Sequence, residues 1–295
     1  MKEKTIYALG FFDGVHVGHT ALLARCRQLA DQYRCIAGVI TFDVHPDALV
    51  LGKAPGLINT STDRERLLSA QGVDTVVSLP FDENMKNMPW QSFLHLLITQ
   101  HNAWGIVVGS DFRFGKGGEG TAQALEAACR AQGMPSAVIP QKSIDGTVVS
   151  STHIRKLLQG GEMAQAVRFL GHPHILSGKV VSGRRLGRTL GIPTANLHIP
   201  QEIVVPKLGV YACLACFDGQ KLPAVTNVGN RPTVGGHCVT VEPWILDFDG
   251  DLYGKEITLE FHAFLREEEK FPNLEALKAE IQENAQQVRN FFGKN

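Results

Sequence analysis

The sequence predicts an α/β domain built on a parallel sheet, followed by an antiparallel β-barrel with a C-terminal helix. Three observations predict it. In the first half, short apolar runs alternate with segments of helical periodicity, the pattern of a parallel sheet covered on both faces. From His172-Pro173-His174 onward the texture changes to short β-rich runs broken by Gly, Pro and Asn. The chain then ends in a stretch with one apolar stripe at helical spacing. A length of 295 residues favours two domains, placed at 1–172 and 173–295.

In order, Thr5–Leu9 reads as a buried strand and the segment from Thr20 as a helix. Cys35–Phe42 is the next strand and ends in Asp43-Val44-His45-Pro46. Ser61-Thr62-Asp63 resembles a capped helix start, Thr75–Leu79 a strand, and the segment through Phe93 a helix. Trp104–Gly109 is a strand, Thr121–Gln132 a helix, and Ser136–Pro140 the closing strand. Parallel sheets bind ligands at the carboxyl ends of their strands. The loops Gly10–His19, Asp43–Pro46 and Gly109–Gly118 all follow strands, so they are expected to gather at one edge.

In the second half the candidate strands are Val204-Val205, Val210–Phe217, Ala224–Asn227, Val239–Phe248 and Glu256–Phe264. Asp218-Gly219 and Asp249-Gly250 are turn signals between them. The final helix starts near Pro272, with Leu274, Leu277, Ile281, Val288 and Phe291 or Phe292 as its apolar stripe.

Composition excludes several classes. A formal net charge of +0 argues against a broad nucleic-acid footprint, which needs a clustered basic face. No apolar run approaches membrane-spanning length and the start lacks the apolar core of a signal peptide, so a cytoplasmic protein is expected. Cys213 and Cys216 have C-x-x-C spacing but lie in a predicted strand, where residues three apart point to opposite faces. They are not expected to share a metal or a disulfide.

The chemistry concentrates in a few stretches. Gly10-Phe-Phe-Asp-Gly-Val-His-Val-Gly-His19 sits where a strand turns into a helix. Glycines there admit a close ligand, and the unpaired N–H groups of a helix start favour phosphate. His16 and His19, three apart, face one side, where imidazole N–H groups can stabilise developing phosphoryl charge. Taken alone, the stretch is also compatible with a Gly-rich turn carrying two incidental histidines. Gly109–Gly120 is a second glycine-rich loop, with Asp111, Arg113 and Lys116. In Val149-Ser-Ser-Thr-His-Ile-Arg155 the hydroxyls of Ser150, Ser151 and Thr152 suit a helix cap. Arg155 places a cation near the positive end of that helix, which suits a polyphosphate.

GFFDGVHVGH followed by VSSTHIRKLL resembles the nucleotidyltransferase superfamily, whose domain is a Rossmann-like parallel sheet. GRRLGRTLGIPTANL, GVYA, TNVGNRPTVGG and VEPWILDFDGDLYG look like riboflavin kinase, whose domain is an antiparallel β-barrel. In this order, with FDVHP, SDFRFGKG and LREEEKFPNLEALKAEIQENAQQVR, they resemble the bacterial bifunctional riboflavin kinase and FAD synthetase family over nearly the whole chain. The resemblance implies two reactions. A C-terminal domain phosphorylates riboflavin with ATP to give FMN, and an N-terminal domain adenylylates FMN with a second ATP to give FAD and pyrophosphate. It implies small-molecule partners, with neither nucleic acid nor membrane, and leaves the oligomer open.

It also implies roles. His16 and His19 match the phosphate-binding histidines, with Gly10, Phe12, Asp13, Gly14 and Gly18 in the same nucleotide-binding loop. Asp111 matches a variable Asn/Asp position, and Ser151, Thr152 and Arg155 match the motif that holds the ATP phosphates. In the kinase half, Thr194 and Asn196 match the Mg²⁺ and phosphate site, and Glu242 the general base. Gly183, Arg184 and Gly187 match the loop over the nucleotide. Three positions depart from the pattern. Phe11 stands where many relatives carry a polar or small residue, His153 is at a variable position, and Pro243 after Glu242 implies an edge strand or a bulge.

Overall fold

The computed structural model describes residues 3–182, 191–233 and 236–293, with the side chains of 231–233 and 236–238 outside the description. Two compact units emerge, one of residues 1–57 and 61–151, the other of 58–60 and 152–295.

The first unit is a five-stranded parallel sheet. Its strands are β1 (Thr5–Leu9), β2 (Ile36–Phe42), β3 (Thr75–Leu79), β4 (Ala103–Gly109) and, after two short strands β5 (Arg113–Phe114) and β6 (Gly120–Thr121), β7 (Ser136–Ile139). The order is β3-β2-β1-β4-β7. Because the chain winds outward from β1 to β3 and restarts at β4, the switch point lies where the loops after β1 and β4 meet. Helices α1 (Val17–Tyr33) and α3 (Ser61–Ala70) cover one face, meeting Ile6, Ala8, Ala37, Val39 and Val107. Helices α5 (Trp90–His101) and α6 (Ala122–Ala131) cover the other, meeting Tyr7, Leu9, Ile40, Ile106 and Val108. Burial on both faces explains why β1 and β2 read as continuous apolar runs. Short helices α2 (Pro46–Val50) and α4 (Glu83–Lys86) and the hairpin β8 (Ser143–Ile144) with β9 (Thr147–Val148) were not marked by periodicity.

The second unit begins with α7 (Ser151–Gly160), whose first residue belongs to the first unit, and α8 (Met163–Leu170). Six strands close an antiparallel barrel: β10 (His174–Val181), β11 (Asn196–His198), β12 (Gly209–Phe217), β13 (Gln220–Thr233), β14 (Gly236–Ile245) and β15 (Glu256–Arg266). Their order around the barrel is β10-β11-β14-β13-β12-β15. Asp218-Gly219, both at positive φ, form the two-residue β12–β13 hairpin the sequence predicts.

Three expectations fail. Val204-Val205 is not a strand, since Pro200 and Pro206 flank it and only Ile203 bridges. Asp249-Gly250 is no hairpin, because it lies in the long connection from β14 to β15, which are not neighbours. Leu274, at the first turn of the final helix α9 (Leu274–Phe292), is exposed rather than packed. The rest of α9 lies on the barrel, Ala285 and Val288 meeting Val210, Ala212 and Val225. Asn284, buried there, accepts a hydrogen bond from Arg266 Nε at 3.1 Å, and Arg266 pairs with Glu280 at 2.9 Å.

Cys213 is wholly buried and Cys216 half-buried, and no disulfide joins them, as alternation along β12 requires.

Candidate active sites

The loop from β1 to α1 is built to present two imidazoles at a helix start. His16 is the N-cap of α1, with Nδ1 accepting the His19 N–H at 3.3 Å. That bond assigns the lone pair to Nδ1 and leaves Nε2 as the hydrogen-bearing nitrogen of the neutral ring. The rings stack with centroids 3.6 Å apart and 12° between planes. Gly18 permits this, because a Cβ there would come within 3.1 Å of the His16 ring. Desolvation, and then the neighbouring His16, hold His19 well below the ordinary imidazole range, so it is neutral at pH 7. Its Nδ1 is buried without a hydrogen-bond partner among the described residues. The first turn of α1 carries no acidic residue, which leaves its positive end open to an anion.

The loop is strained. Phe12 and Val15, neither a glycine, have φ of 59° and 39°, conformations that cost on the order of 1–3 kcal/mol each. Surrounding contacts hold it. Thr41 Oγ1 donates to the Phe11 carbonyl at 3.0 Å, and Ser151 Oγ, from the first residue of α7, donates to the Asp13 carbonyl at 2.8 Å. Asp13 and Gly14 are buried in the loop, and Gly10 lies at its base, its N–H donating to the Ile40 carbonyl. The Phe11 ring meets the His45 ring edge-on at 4.6 Å and carries the Arg64 guanidinium over it at 4.2 Å. Arg64 and His45 were missed as site residues. An arginine in a helix with charged neighbours gives no local signal of burial, yet Arg64 is only 3% exposed.

The three predicted loops do meet at one edge. They border a cavity of about 700 Å³ within the first unit, walled by Phe42, Phe81, Phe93, Phe112 and Phe114, with Gly10 and the Gly115–Gly118 backbone at its border. Phe112 and Phe114 stack at 5.4 Å, and Phe93 packs against Phe114 at 5.8 Å. Such a volume suits a large flat ring system. Of these aromatics, only Phe112 and Phe114 were visible in a suspicious loop. Asp111, on that loop, accepts from Gln141 Nε2 at 2.9 Å. Thr152 and Arg155 follow Ser151 on α7, and Arg155 is the helix's fifth residue.

In the barrel, register does the assembling. Leu197 pairs with Val241, which sets Asn196 opposite Glu242, and Glu242 in turn pairs with Asn227. Directly opposed residues of antiparallel strands share a face, so Asn196, Glu242 and Asn227 form one row. Asn227 was missed, being one amide in a turn-like stretch. Thr194 lies elsewhere, lining a second cavity of about 700 Å³ with Pro193, Pro243, Asp249 and Asp251. Alternation puts Pro243 and Glu242 on opposite faces of β14, so the Thr194 cavity and the Glu242 row flank the same strand.

Pro243 makes no bulge, because the β13–β14 register runs unbroken from Ala224↔Ile245 to Thr233↔Gly236. Its carbonyl accepts from Ala195 N at 2.9 Å, on the β11 side. A residue's N–H and C=O point the same way, so the absent N–H also faces β11, just past the Leu197↔Val241 pair where that pairing ends. The edge-strand alternative is therefore the one realised, on one side only. Gly183, Arg184 and Gly187 lie outside the described residues.

The FAD synthetase family matches residues 1–153 and the riboflavin kinase family residues 170–292. The bifunctional riboflavin kinase/FMN adenylyltransferase of Escherichia coli K12 is 36% identical over 295 residues, covering 99% of this chain and 94% of that protein. The protein of the same name from Listeria monocytogenes is 32% identical over 293 residues, covering 98% and 93%. A crystal structure from Streptococcus pneumoniae, described as a macrolide-efflux protein, matches with a TM-score of 0.90 at 29% identity, covering 98% of this chain and 95% of that one. No helix among the described residues here is long and apolar enough to cross a membrane.

Proposed function

The chain belongs to the bifunctional riboflavin kinase/FMN adenylyltransferase family, and from that membership we propose which residues carry each of its two reactions. Both reactions consume ATP, but their nucleophiles differ in acidity, and that difference organises the assignment.

In adenylyl transfer the nucleophile is the FMN phosphate, largely ionised at pH 7 because its second pKa is about 6. No base is needed. The demand is to hold the ATP phosphates and stabilise charge as pyrophosphate leaves. N–H donors from His16 and His19, with the N-terminus of α1, meet that demand. Gly10, Phe12, Asp13, Gly14 and Gly18 shape the loop, with Asp111 and Ser151 in the same unit, and Thr152 and Arg155 are assigned to the ATP phosphates from the motif they match. The aromatic cavity beside the loop takes the flavin ring. The observation that carries this reading is the stacked histidine pair at the helix start, bordered by that cavity.

In the kinase reaction the nucleophile is a ribityl hydroxyl, a poor acid that attacks more readily when a carboxylate takes its proton. Glu242 serves as that base, with Asn196 and Asn227 beside it in register. The motif assigns Thr194 and Asn196 as hard oxygens suited to Mg²⁺. Asn196 stands in the Glu242 row and Thr194 lines the cavity on the other side of the strand, and the ion when bound would neutralise phosphate charge. Few protein ligands are required, since phosphate and water oxygens complete such a shell. Gly183, Arg184 and Gly187 are assigned to nucleotide binding from the motif they match. We divide the two activities at 172/173, supported by α8 ending at Leu170 and β10 starting at His174. A cytoplasmic location follows from the need for ATP.

A chromatographic time course with riboflavin, ATP and Mg²⁺ tests the scheme. FMN should appear and then give way to FAD. His16→Ala should stop the course at FMN. Glu242→Gln should leave riboflavin unconverted while added FMN is still adenylylated. Equal loss of both activities in either variant refutes the division of labour.

A further inference from the structure

We propose that Arg64 is a positioning residue of the adenylyl-transfer site, its guanidinium clamping Phe11 to the end of β2 and so holding the loop that carries His16 and His19. The proposal rests on the assignment of those histidines to adenylyl transfer.

Four observations converge on it. Arg64 is nearly fully buried, an unusual place for a cation that serves only as surface charge. Its Nη2 donates to the carbonyl of Phe42, the last residue of β2, at 2.8 Å. Its plane carbon sits 4.2 Å from the centre of the Phe11 ring, and Phe11 is the second residue of the phosphate loop. The carboxylates of Asp13, inside that loop, and Asp43, just past β2, face its charge.

The mechanical case follows from the loop's strain. Phe12 and Val15 keep left-handed backbone only while their neighbours over-determine it. Thr41 and Ser151 each fix one loop carbonyl, at Phe11 and Asp13. Neither fixes the Phe11 ring. Arg64 and His45 do, and Arg64 also ties the ring to the sheet through the Phe42 carbonyl. The Phe11 ring gives the guanidinium its platform. A lysine keeps the charge and three donors but has no plane to lie flat on the ring while donating sideways.

A loop held slightly wrong still binds ATP through its backbone, but misplaces His16 and His19 as charge develops. The loss therefore belongs in kcat rather than KM. Arg64→Met should lower kcat for FMN adenylylation about tenfold or more, with KM for ATP and FMN within about threefold. Phe11→Leu, which leaves the buried cation in place, should give a smaller fall in kcat of about three- to fivefold. Arg64→Lys should fall between Arg64→Met and the parent. Riboflavin phosphorylation by the same preparations should stay within about twofold, since it depends on the other unit.

Parent-like kcat in both Arg64→Met and Phe11→Leu overturns the proposal. So does a loss confined to KM for ATP, which would make Arg64 a substrate contact. If Arg64→Met does not fold, Phe11→Leu decides alone, and a parent kcat there refutes the clamp. His16→Ala serves as the reference: retained adenylylation in that variant removes the underlying site assignment, whatever Arg64 does.

Discussion

His174 should make the barrel unit acid-sensitive by an amount that the structure sets. The residue opens β10, is wholly buried beside Phe261, and has no hydrogen-bond partner among the described residues for either ring nitrogen. Burial, and then the charge of His172, hold its pKa at about 3 in the folded state. The unfolded chain has the ordinary value of about 6.5. Because the folded pKa is depressed, the unfolded state takes up a proton first as pH falls. Stability is therefore full above about pH 6.5 and is lost progressively down to about pH 3. The loss from this one group is about 2 kcal/mol at pH 5.0 and at most about 5 kcal/mol at the acid limit. His174→Leu removes the titrating group and two unpaired polar atoms at similar volume. It should unfold near the parent midpoint at pH 7.5 and exceed the parent by about 2 kcal/mol at pH 5.0. Urea unfolding followed by Trp244 fluorescence measures this, with Trp90 and Trp104 replaced by Phe so that only the barrel reports. Equal losses in parent and His174→Leu between the two pH values would refute the reasoning.

Other outcomes are open to simpler assays. His16→Ala removes an N-cap as well as a phosphate donor, so a stability loss of about 1 kcal/mol should accompany the loss of adenylylation, readable by thermal melting. Phe114→Ala opens the aromatic cavity and should raise KM for FMN about tenfold or more while leaving KM for riboflavin in the kinase reaction unchanged. Pro243→Val should change the kinase kcat less than about threefold, because the missing N–H already faces away from β13 and Glu242 keeps its register. Gly229→Ala adds a methyl within 2.5 Å of Glu268 Oε1 and 3.0 Å of Asn227 Nδ2. Glu268 is exposed and can swing out at a cost of less than about 1 kcal/mol, whereas Asn227 faces Glu242. Kinase activity should therefore fall more than melting temperature, and the reverse ranking would dissociate Asn227 from the site.

Much was legible in the linear sequence because the signals are local. Strand β1, the helical period of α1 and the glycines between them place His16 and His19 at a strand-to-helix turn with no further information. The alternation of strands and helices determined a parallel sheet, and hence which loops share its carboxyl edge. Asp218-Gly219 determined a hairpin, because a two-residue turn of that kind needs positive φ at both positions. The same reasoning failed at Asp249-Gly250, where the residues are right for a turn but the flanking strands do not pair. Strand pairing is a long-range property.

Tertiary structure alone decided the rest, for the same reason. The aromatic cavity takes its rings from β2, from the segment after β3, from α5 and from the loop after β4, which no window of sequence contains. Pro243 beside Glu242 reads in sequence as a threat to the strand, and only the side on which Ala195 bonds its carbonyl makes it harmless. Asn227 comes opposite Glu242 because β13 lies against β14 in one register, and Arg64 reaches Phe11 because packing folds it over that ring. Backbone propensity and hydrophobic period are written residue by residue, so the chain by itself determined most of its elements and the glycine-rich turn that carries His16 and His19. Contacts between side chains distant in sequence exist only once the core has closed, and those contacts decided how the two sites are assembled.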